Sequence, residues 1–123
     1  MEVGALFALL VLLLIKHLFA DFFLQTPIML GNRAQYIHVG RVLHCGVHVV
    51  GTVIAFVLVG VPLGALVALL VAEFLAHFHI DFAKGWWSER LGHTPDDASY
   101  WRAFGVDQLL HQLTYVLMVW VLI

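Results

Sequence analysis

Long apolar stretches take up most of this chain. They cover about residues 3–24, 41–60, 63–84 and 101–123, and each is close to the roughly 20 residues that a helix needs to cross a bilayer. Hydrophobic residues make up 63% of the sequence and charged residues 11%, against roughly 45–50% and 25% in soluble globular proteins. The sequence therefore predicts an all-α fold, a four-helix transmembrane bundle that forms a single integral membrane domain over residues 1–123.

Basic residues indicate the orientation of this bundle. Lys16 lies within the first predicted span, but the other basic residues lie in or beside the predicted loops 25–40 and 85–100, and they are Arg33, Arg41, Lys84, Arg90 and Arg102. The second connection and both ends of the chain carry no Lys or Arg. By the positive-inside rule, the two long loops face the cytoplasm and both termini lie on the non-cytoplasmic side of a bacterial inner membrane. Glu2 stands where a signal peptide has basic residues, so we expect the first span to be retained.

Histidines and carboxylates recur at a spacing of four residues within the predicted spans. Glu73, His77 and Asp81 form one such series, and on an α-helix they share one face. The other spans each contribute a pair with the same spacing, namely His17 with Asp21, His44 with His48, and Asp107 with His111. Ionisable side chains are costly inside a membrane and usually serve a function there.

These side chains are also predicted to lie at one depth. At a rise of about 1.5 Å per residue, all of them fall roughly 4–17 Å from the cytoplasmic ends of their helices. Five histidines and four carboxylates exceed what one zinc ion needs. We therefore predict a centre for two divalent metal ions, with zinc favoured and iron or manganese possible. The predicted ligands are His17, Asp21, His44, His48, Glu73, His77, Asp81, Asp107 and His111.

The same pattern has a structural alternative. Polar side chains inside a membrane can simply form hydrogen bonds between helices, although four pairs in one layer favour a metal. Some members of the set can act indirectly, because a carboxylate such as Asp21 or Asp107 can orient a ligating imidazole through its other nitrogen. His79 is predicted to face away from His77, and His38 and His93 fall in connections, so these three are excluded.

Two basic residues are candidates for substrate binding. Lys84 follows Asp81 by three residues and Arg41 precedes His44 by three, so both are expected at the mouth of the site, where they would bind phosphate. The alternative is that they are interfacial residues whose charged ends reach the water. Lys16 is offset by about 100° from His17 and is not assigned to the site.

Several segments also resemble a known family. KHLFADFFLQT, HCGVH, HFHIDFAK and DQLLH, in this order, are similar to signature segments of the 3307 domain-of-unknown-function family, which comprises small polytopic bacterial membrane proteins. The resemblance covers nearly the whole chain and supports the site without implying a reaction. It singles out His17, Asp21, Gln25, His44, His48, His77, Asp81, Lys84, Asp107, Gln108 and His111. A looser likeness in the His/Asp-rich spans is to inner-membrane metal-dependent hydrolases.

The leading functional hypothesis is a metal-dependent hydrolase that acts on a lipid-linked or phosphorylated amphiphilic substrate. Two metal ions would activate water and stabilise the attacking and leaving oxygens, with Glu73 as a bridging ligand or the general base. The expected partners are the lipid bilayer and this substrate, with a second copy of the chain as a further candidate. No basic block suggests nucleic acid. The alternatives are a di-iron oxidase or hydroxylase, a divalent metal or proton transporter, and a purely structural bundle.

Overall fold

The computed structural model describes the whole chain, residues 1–123, and contains helices only. The five helices are α1 (Val3–Phe22), α2 (Pro27–Leu30), α3 (Val39–Val59), α4 (Leu63–Leu91) and α5 (Ala98–Trp120). The prediction of an all-α fold is confirmed. By length and composition, α1, α3 and α4 could each cross a membrane.

The predicted fourth span corresponds to α5, which is not among these three helices. At 23 residues, α5 is long enough to cross a bilayer. Its composition is less apolar because it carries Arg102, Asp107, Gln108 and His111. The structure thus provides three helices of membrane type and a fourth of similar length with polar residues.

The four long helices pack in a closed ring. α1 packs against α3 and α5, α4 also packs against α3 and α5, and the short α2 lies against α3. The turn between α3 and α4 contains Gly60 and Pro62. Gly60 ends α3 with φ of 77°, a left-handed conformation that glycine adopts without strain, and Pro62 directly precedes α4.

Helix α4 does not end at Lys84, where the sequence placed the start of a loop. It continues to Leu91, and Gly92 ends it with φ of 60°. Residues 85–91, which were predicted in a loop, are therefore helical. Their polarity suggested a loop, but residues such as Glu89 and Arg90 are good helix formers, and no proline interrupts them.

The interior of the ring is divided along its length into two layers. One layer, the apolar core, lies towards the chain termini and contains Leu6, Leu9, Leu13, Ala55, Phe56, Val61, Leu69, Tyr115, Met118 and Leu122. The other layer lies towards the α2 and α4–α5 connections and contains most of the buried polar side chains. These polar residues are His17, Arg41, His44, His48, Thr52, Glu73, His77, Asp107 and His111.

Candidate metal centre

All four long helices bring imidazole and carboxylate groups into the polar layer. Each helix places its pair on the inner face because residues four apart lie almost above one another on an α-helix. The two carboxylates at the middle of the cluster belong to Asp21 on α1 and Asp81 on α4. Around them lie the rings of five histidines, which are His17, His44, His48, His77 and His111.

Asp21 is in contact with imidazoles from two helices. Its Oδ1 lies 2.9 Å from His48 Nε2 and 3.2 Å from His44 Nε2, and its Oδ2 lies 3.2 Å from His17 Nε2. The Nε2 of Gln108 on α5 also donates to Oδ2, at 3.2 Å. Asp21 is thus held by side chains from α1, α3 and α5.

Asp81 faces a second group of imidazoles. Its Oδ1 lies 3.3 Å from His111 Nε2, and its Oδ2 lies 3.4 Å from His77 Nε2 and 3.6 Å from His44 Nε2. His44 therefore lies between the two carboxylates. The distances define two adjoining groups of potential ligands rather than one.

Ligand atoms in each group are close enough together to surround an ion. One group is Asp21, His44, His48 and His77, the other is His77, Asp81 and His111, and within each the ligand atoms lie within 4.8 Å of one another. Nitrogen and carboxylate oxygen donors are typical of zinc and of iron or manganese sites. The clusters could hold one ion each, with His77 adjoining both.

The partners of His111 leave one of its nitrogens free for an ion. His111 Nδ1 donates to the backbone carbonyl of Asp107 at 2.8 Å, because a carbonyl oxygen can only accept. In the neutral form of the ring, the lone pair of Nε2 then faces Asp81. The buried Nε2 atoms of His111 and His77 lie 3.3 and 3.4 Å from the Asp81 oxygens but form no well-aligned hydrogen bond with them. Buried polar atoms without partners are rare, and a cation bound beside Asp81 would satisfy both nitrogens.

His48 is held in a different way, through Lys16. Lys16 Nζ lies 3.2 Å from His48 Nδ1, and an ammonium group has no lone pair, so the lysine donates and Nδ1 accepts. The ring proton of His48 is then on Nε2, which donates to Asp21. Distances alone place His48 among the possible ligands, but its hydrogen bonds are those of a residue that orients Asp21.

His17 also orients Asp21, and Gln108 fixes the position of the His17 ring. Gln108 Nε2 donates to Asp21 and, at 3.3 Å, to Asp107 Oδ2, which leaves Gln108 Oε1 to accept from His17 Nε2 at 3.1 Å. On the other side of the ring, the Tyr115 hydroxyl lies 3.0 Å from His17 Nδ1 and donates to it. Imidazoles therefore hold Asp21 in position. The sequence suggested the converse, that a carboxylate such as Asp21 would orient a ligating imidazole.

Glu73 lies one helical turn from His77 and belongs to neither ligand group. Its Oε1 accepts from Lys16 Nζ and, at 2.9 Å, from Thr52 Oγ1, while Oε2 is buried without a partner. The predicted roles of Glu73 as bridging ligand or base stay predictions. Its observed contacts are those of a counter-ion for Lys16.

The two predicted substrate-binding residues have different surroundings. The buried Arg41 guanidinium donates to the carbonyls of Gln35 at 2.6 Å and Tyr36 at 2.7 Å, and also to that of Arg33. Arg41 thus holds the α2–α3 connection together. Lys84 Nζ lies 5.1 Å from the Phe104 ring centroid and forms no hydrogen bond or salt bridge. Substrate binding by either residue stays a prediction.

A small polar cavity lies between the α2–α3 connection and Asp81. It has a volume of about 10 Å³, close to one water molecule, and is lined by Met29, Arg33, His38, Arg41, His44 and Asp81. His38 was excluded from the site as a loop residue, yet it lines this cavity. The sequence offered no indication of its position, because the connection folds back over the end of the bundle.

Three residues of the site, Lys16, Thr52 and Tyr115, were absent from the predicted set, and Gln108 was singled out only by the family resemblance. Two of them continue the four-residue spacing, since Thr52 follows His48 and Tyr115 follows His111 by one turn. Applying the same periodicity to hydroxyl groups would have identified them. His79, which was excluded, is exposed and bonds Tyr36 and the Leu75 carbonyl away from the cluster.

One comparison with known proteins gives a match. A family model described as Protein of unknown function (DUF3307) matches residues 9–123. No curated protein and no solved structure matches the chain. The looser likeness to metal-dependent hydrolases is not confirmed by these comparisons.

Proposed function

This chain belongs to the family described as Protein of unknown function (DUF3307), and we propose that it is an intramembrane metal-dependent hydrolase with two divalent ions. One observation carries the proposal: two carboxylates face several imidazole nitrogens, and two of these nitrogens, His77 Nε2 and His111 Nε2, are buried beside Asp81 without a well-aligned hydrogen bond. A set of hydrogen bonds built only for stability would satisfy these atoms internally.

In this proposal all four long helices span a bacterial inner membrane. The outward face of α5 supports its inclusion, since Val106, Leu109, Leu113 and Val116 are exposed and apolar. Its buried residues Asp107 and His111 face the polar layer and lower its mean hydropathy without meeting lipid. Both termini face outward and the metal centre lies near the cytoplasmic surface.

The residues that hold the ions follow from the hydrogen bonds. Asp81, His77 and His111 would hold one ion, and Asp21 with His44 the other, while His17, His48 and Gln108 keep Asp21 in place. Two divalent ions, with zinc favoured, would activate water near neutral pH and stabilise the attacking and leaving oxygens. The unpartnered Oε2 of Glu73 is the atom of this residue that remains available to accept a proton.

The apolar core weighs against the transport alternative. A transporter needs a polar route between the two membrane surfaces, but Leu9, Leu13 and Phe56 fill the ring beyond the polar layer and are fully buried. A bundle sealed on one side fits a substrate that reaches the centre from the cytoplasmic leaflet. The lipid-linked or phosphorylated amphiphile predicted from the sequence meets this condition.

We expect replacement of one ligand to remove the metal from folded protein. Wild-type protein purified in detergent with added zinc should retain about two ions per chain by elemental analysis. His77→Ala should lower the zinc content by about one ion or more, because it adjoins both ligand groups. The matched control is His79→Ala on the same helix, whose side chain points away from the cluster.

The metal content of the purified protein also distinguishes the proposed metal centre from the alternative functions. Protein that retains less than one ion under these conditions, or a His77→Ala variant that binds as much zinc as wild type, would contradict the metal centre. Preferential retention of iron after anaerobic purification would instead favour the oxidase or hydroxylase. If zinc is retained, the hydrolase is tested by phosphate release from a phosphorylated lipid, which should be lost in His77→Ala and kept in His79→Ala.

A further inference from the structure

A second cavity lies outside the metal centre, in the cleft between the end of α4 and the first half of α5. Its volume is about 520 Å³, within the range of ligand sites in proteins. Most of its lining is apolar and includes Ile80, Trp86, Trp87, Leu91, Val106 and Leu110. The part of α4 beyond Lys84 forms one wall of this amphiphile cleft.

Helical periodicity explains why the cleft has two continuous walls. Ile80, Ala83, Lys84 and Trp87 lie on one face of α4, and Ser99, Arg102, Ala103, Val106 and Leu110 lie on one face of α5. Nearby, α4 is fixed to the α2–α3 connection, because Gly85 lies against the Arg33 carbonyl. The cleft is therefore part of the folded helix arrangement.

Two cationic side chains line the cleft outside any salt bridge, and the Asp107 carboxylate lies close enough to Lys84 to interact with its charge. Lys84 and Arg102 form no hydrogen bond or salt bridge, and the one carboxylate in the lining belongs to the buried Asp107. Apolar walls with two cations are complementary to a molecule that has an apolar chain and a negatively charged group. Free phosphate would use the cations but leave the apolar walls empty.

The inner end of the cleft reaches the metal centre. Asp107 lines the cleft and its Oδ2 accepts from Gln108, which also donates to Asp21. Lys84 lies one turn after Asp81 on α4. A ligand whose charged group contacts Lys84 and Arg102 would thus present that group next to the ligands of the ions.

We propose that this cleft binds an anionic phospholipid-like amphiphile, with its phosphate between Lys84 and Arg102 and its apolar chain along Ile80, Val106 and Leu110. The identity of this molecule as a substrate rests on the proposed function. Its binding does not, because none of the cleft contacts requires a metal ion. The two proposals can therefore fail separately.

Tryptophan fluorescence provides a direct test. Of the four tryptophans, Trp101 and Trp120 lie outside the cleft lining, so a Trp101→Phe/Trp120→Phe background leaves Trp86 and Trp87 as reporters. Chelator-treated protein in a neutral detergent is titrated with brominated phosphatidate, a quencher of nearby tryptophan. We expect saturable quenching, and brominated phosphatidylcholine should bind more weakly because of its positive choline group.

Three variants show whether quenching reports the proposed contacts. Lys84→Gln/Arg102→Gln should weaken phosphatidate binding by about tenfold or more, since it removes both charge-assisted hydrogen bonds. The charge-preserving swap Lys84→Arg/Arg102→Lys should retain most of the affinity. Ala103→Phe fills the cleft with a bulky ring and should weaken binding of both lipids.

Several results would overturn the amphiphile cleft. Equal quenching by both lipids, with no effect of Lys84→Gln/Arg102→Gln, would indicate only general contact with detergent and lipid. Displacement of phosphatidate by inorganic phosphate at equal concentration would identify a phosphate site instead. If the earlier experiment shows that the protein binds no metal, phosphatidate should still quench the tryptophans. If quenching is absent although the metal is retained, the amphiphile cleft is rejected and the metal centre is not.

Discussion

At the scale of single residues, the pair formed by Lys16 and Glu73 has the clearest energetic consequence. The two side chains are 10% and 1% exposed, so neither charge can be solvated if the other is removed. Removal of one partner from a buried ion pair costs about 3–5 kcal/mol. We expect Lys16→Met to lower the free energy of unfolding by this amount, measured by denaturant titration in detergent micelles.

Replacing both partners distinguishes the ion pair from simple loss of packing. A Lys16→Met/Glu73→Leu variant should recover most of the lost stability, because it leaves no unpaired charge in the interior. Lys84→Met is the matched control, since Lys84 makes no salt bridge, and it should change stability by less than about 1 kcal/mol. A double variant as unstable as Lys16→Met would contradict the assignment.

Gln108 provides a second residue-scale prediction, on metal affinity. Its amide connects Asp21, Asp107 and His17, so Gln108→Leu should let Asp21 move away from its present position. Loss of such an orienting group typically weakens metal binding about 10–100-fold. Zinc affinity by competition with a chelator should show this decrease. Gln112→Leu, at an exposed position one turn along α5, should leave the affinity unchanged.

The residues at the site differ in how well the sequence could predict them. Spacing and depth along the predicted spans identified Asp21, His44, His77 and His111, since helical geometry fixes which side chains share a face of each helix. Spacing could not predict Lys16, which is offset by about 100° from His17 on α1 but has a side chain long enough to reach Glu73. Nor could spacing separate ligands from orienting groups, because that depends on which nitrogen of each imidazole has a hydrogen-bond partner.

At the scale of helices, two glycines bring the α2–α3 connection close to the bundle. A Cβ atom on Gly40 would lie 2.0 Å from the Ile28 carbonyl oxygen, and one on Gly85 would lie 2.4 Å from that of Arg33. Both contacts are with backbone, which cannot rotate away. The connection is thus packed directly on α3 and α4.

We expect Gly85→Ala to destabilise the protein by about 1–3 kcal/mol, because the added methyl group must displace the connection. Gly105→Ala is the matched control, since a Cβ atom there meets nothing within 4 Å. A glycine replaced within a helix, without a clash, should raise stability by about 0.5–1 kcal/mol. Opposite signs in denaturant titration would support the close contact, and two stabilising changes would contradict it.

The same contact explains why the end of α4 could not be predicted. Gly85 followed by polar residues suggested a loop, since glycine and polarity commonly mark chain reversals. In the structure Gly85 allows the close approach of Arg33, and the helix continues. The meaning of this glycine depends on a neighbour that lies far away in sequence, which local composition does not reveal.

At the scale of the whole molecule, the two layers of the bundle interior make the two ends of the bundle chemically different. The apolar core lies near the termini, and the polar layer lies near the α2–α3 connection with Arg33 and the end of α4 with Arg90. The sequence predicted this division because ionisable residues fall in the halves of the apolar stretches that adjoin the basic loops. The ring closure that brings α1 beside α5 follows from packing, and no local pattern shows it.

The proposed orientation predicts which surface is accessible from each side of the membrane. In a background where the buried Cys45 is replaced by Ala, Glu2→Cys and Asp96→Cys each place one thiol at an exposed position. With a membrane-impermeant maleimide on intact spheroplasts, Glu2→Cys should be labelled and Asp96→Cys should react only after permeabilisation, because basic loops remain in the cytoplasm. The Cys45→Ala background alone should stay unlabelled. The opposite pattern would place the metal centre near the outer surface and remove the inner leaflet as the source of its substrate.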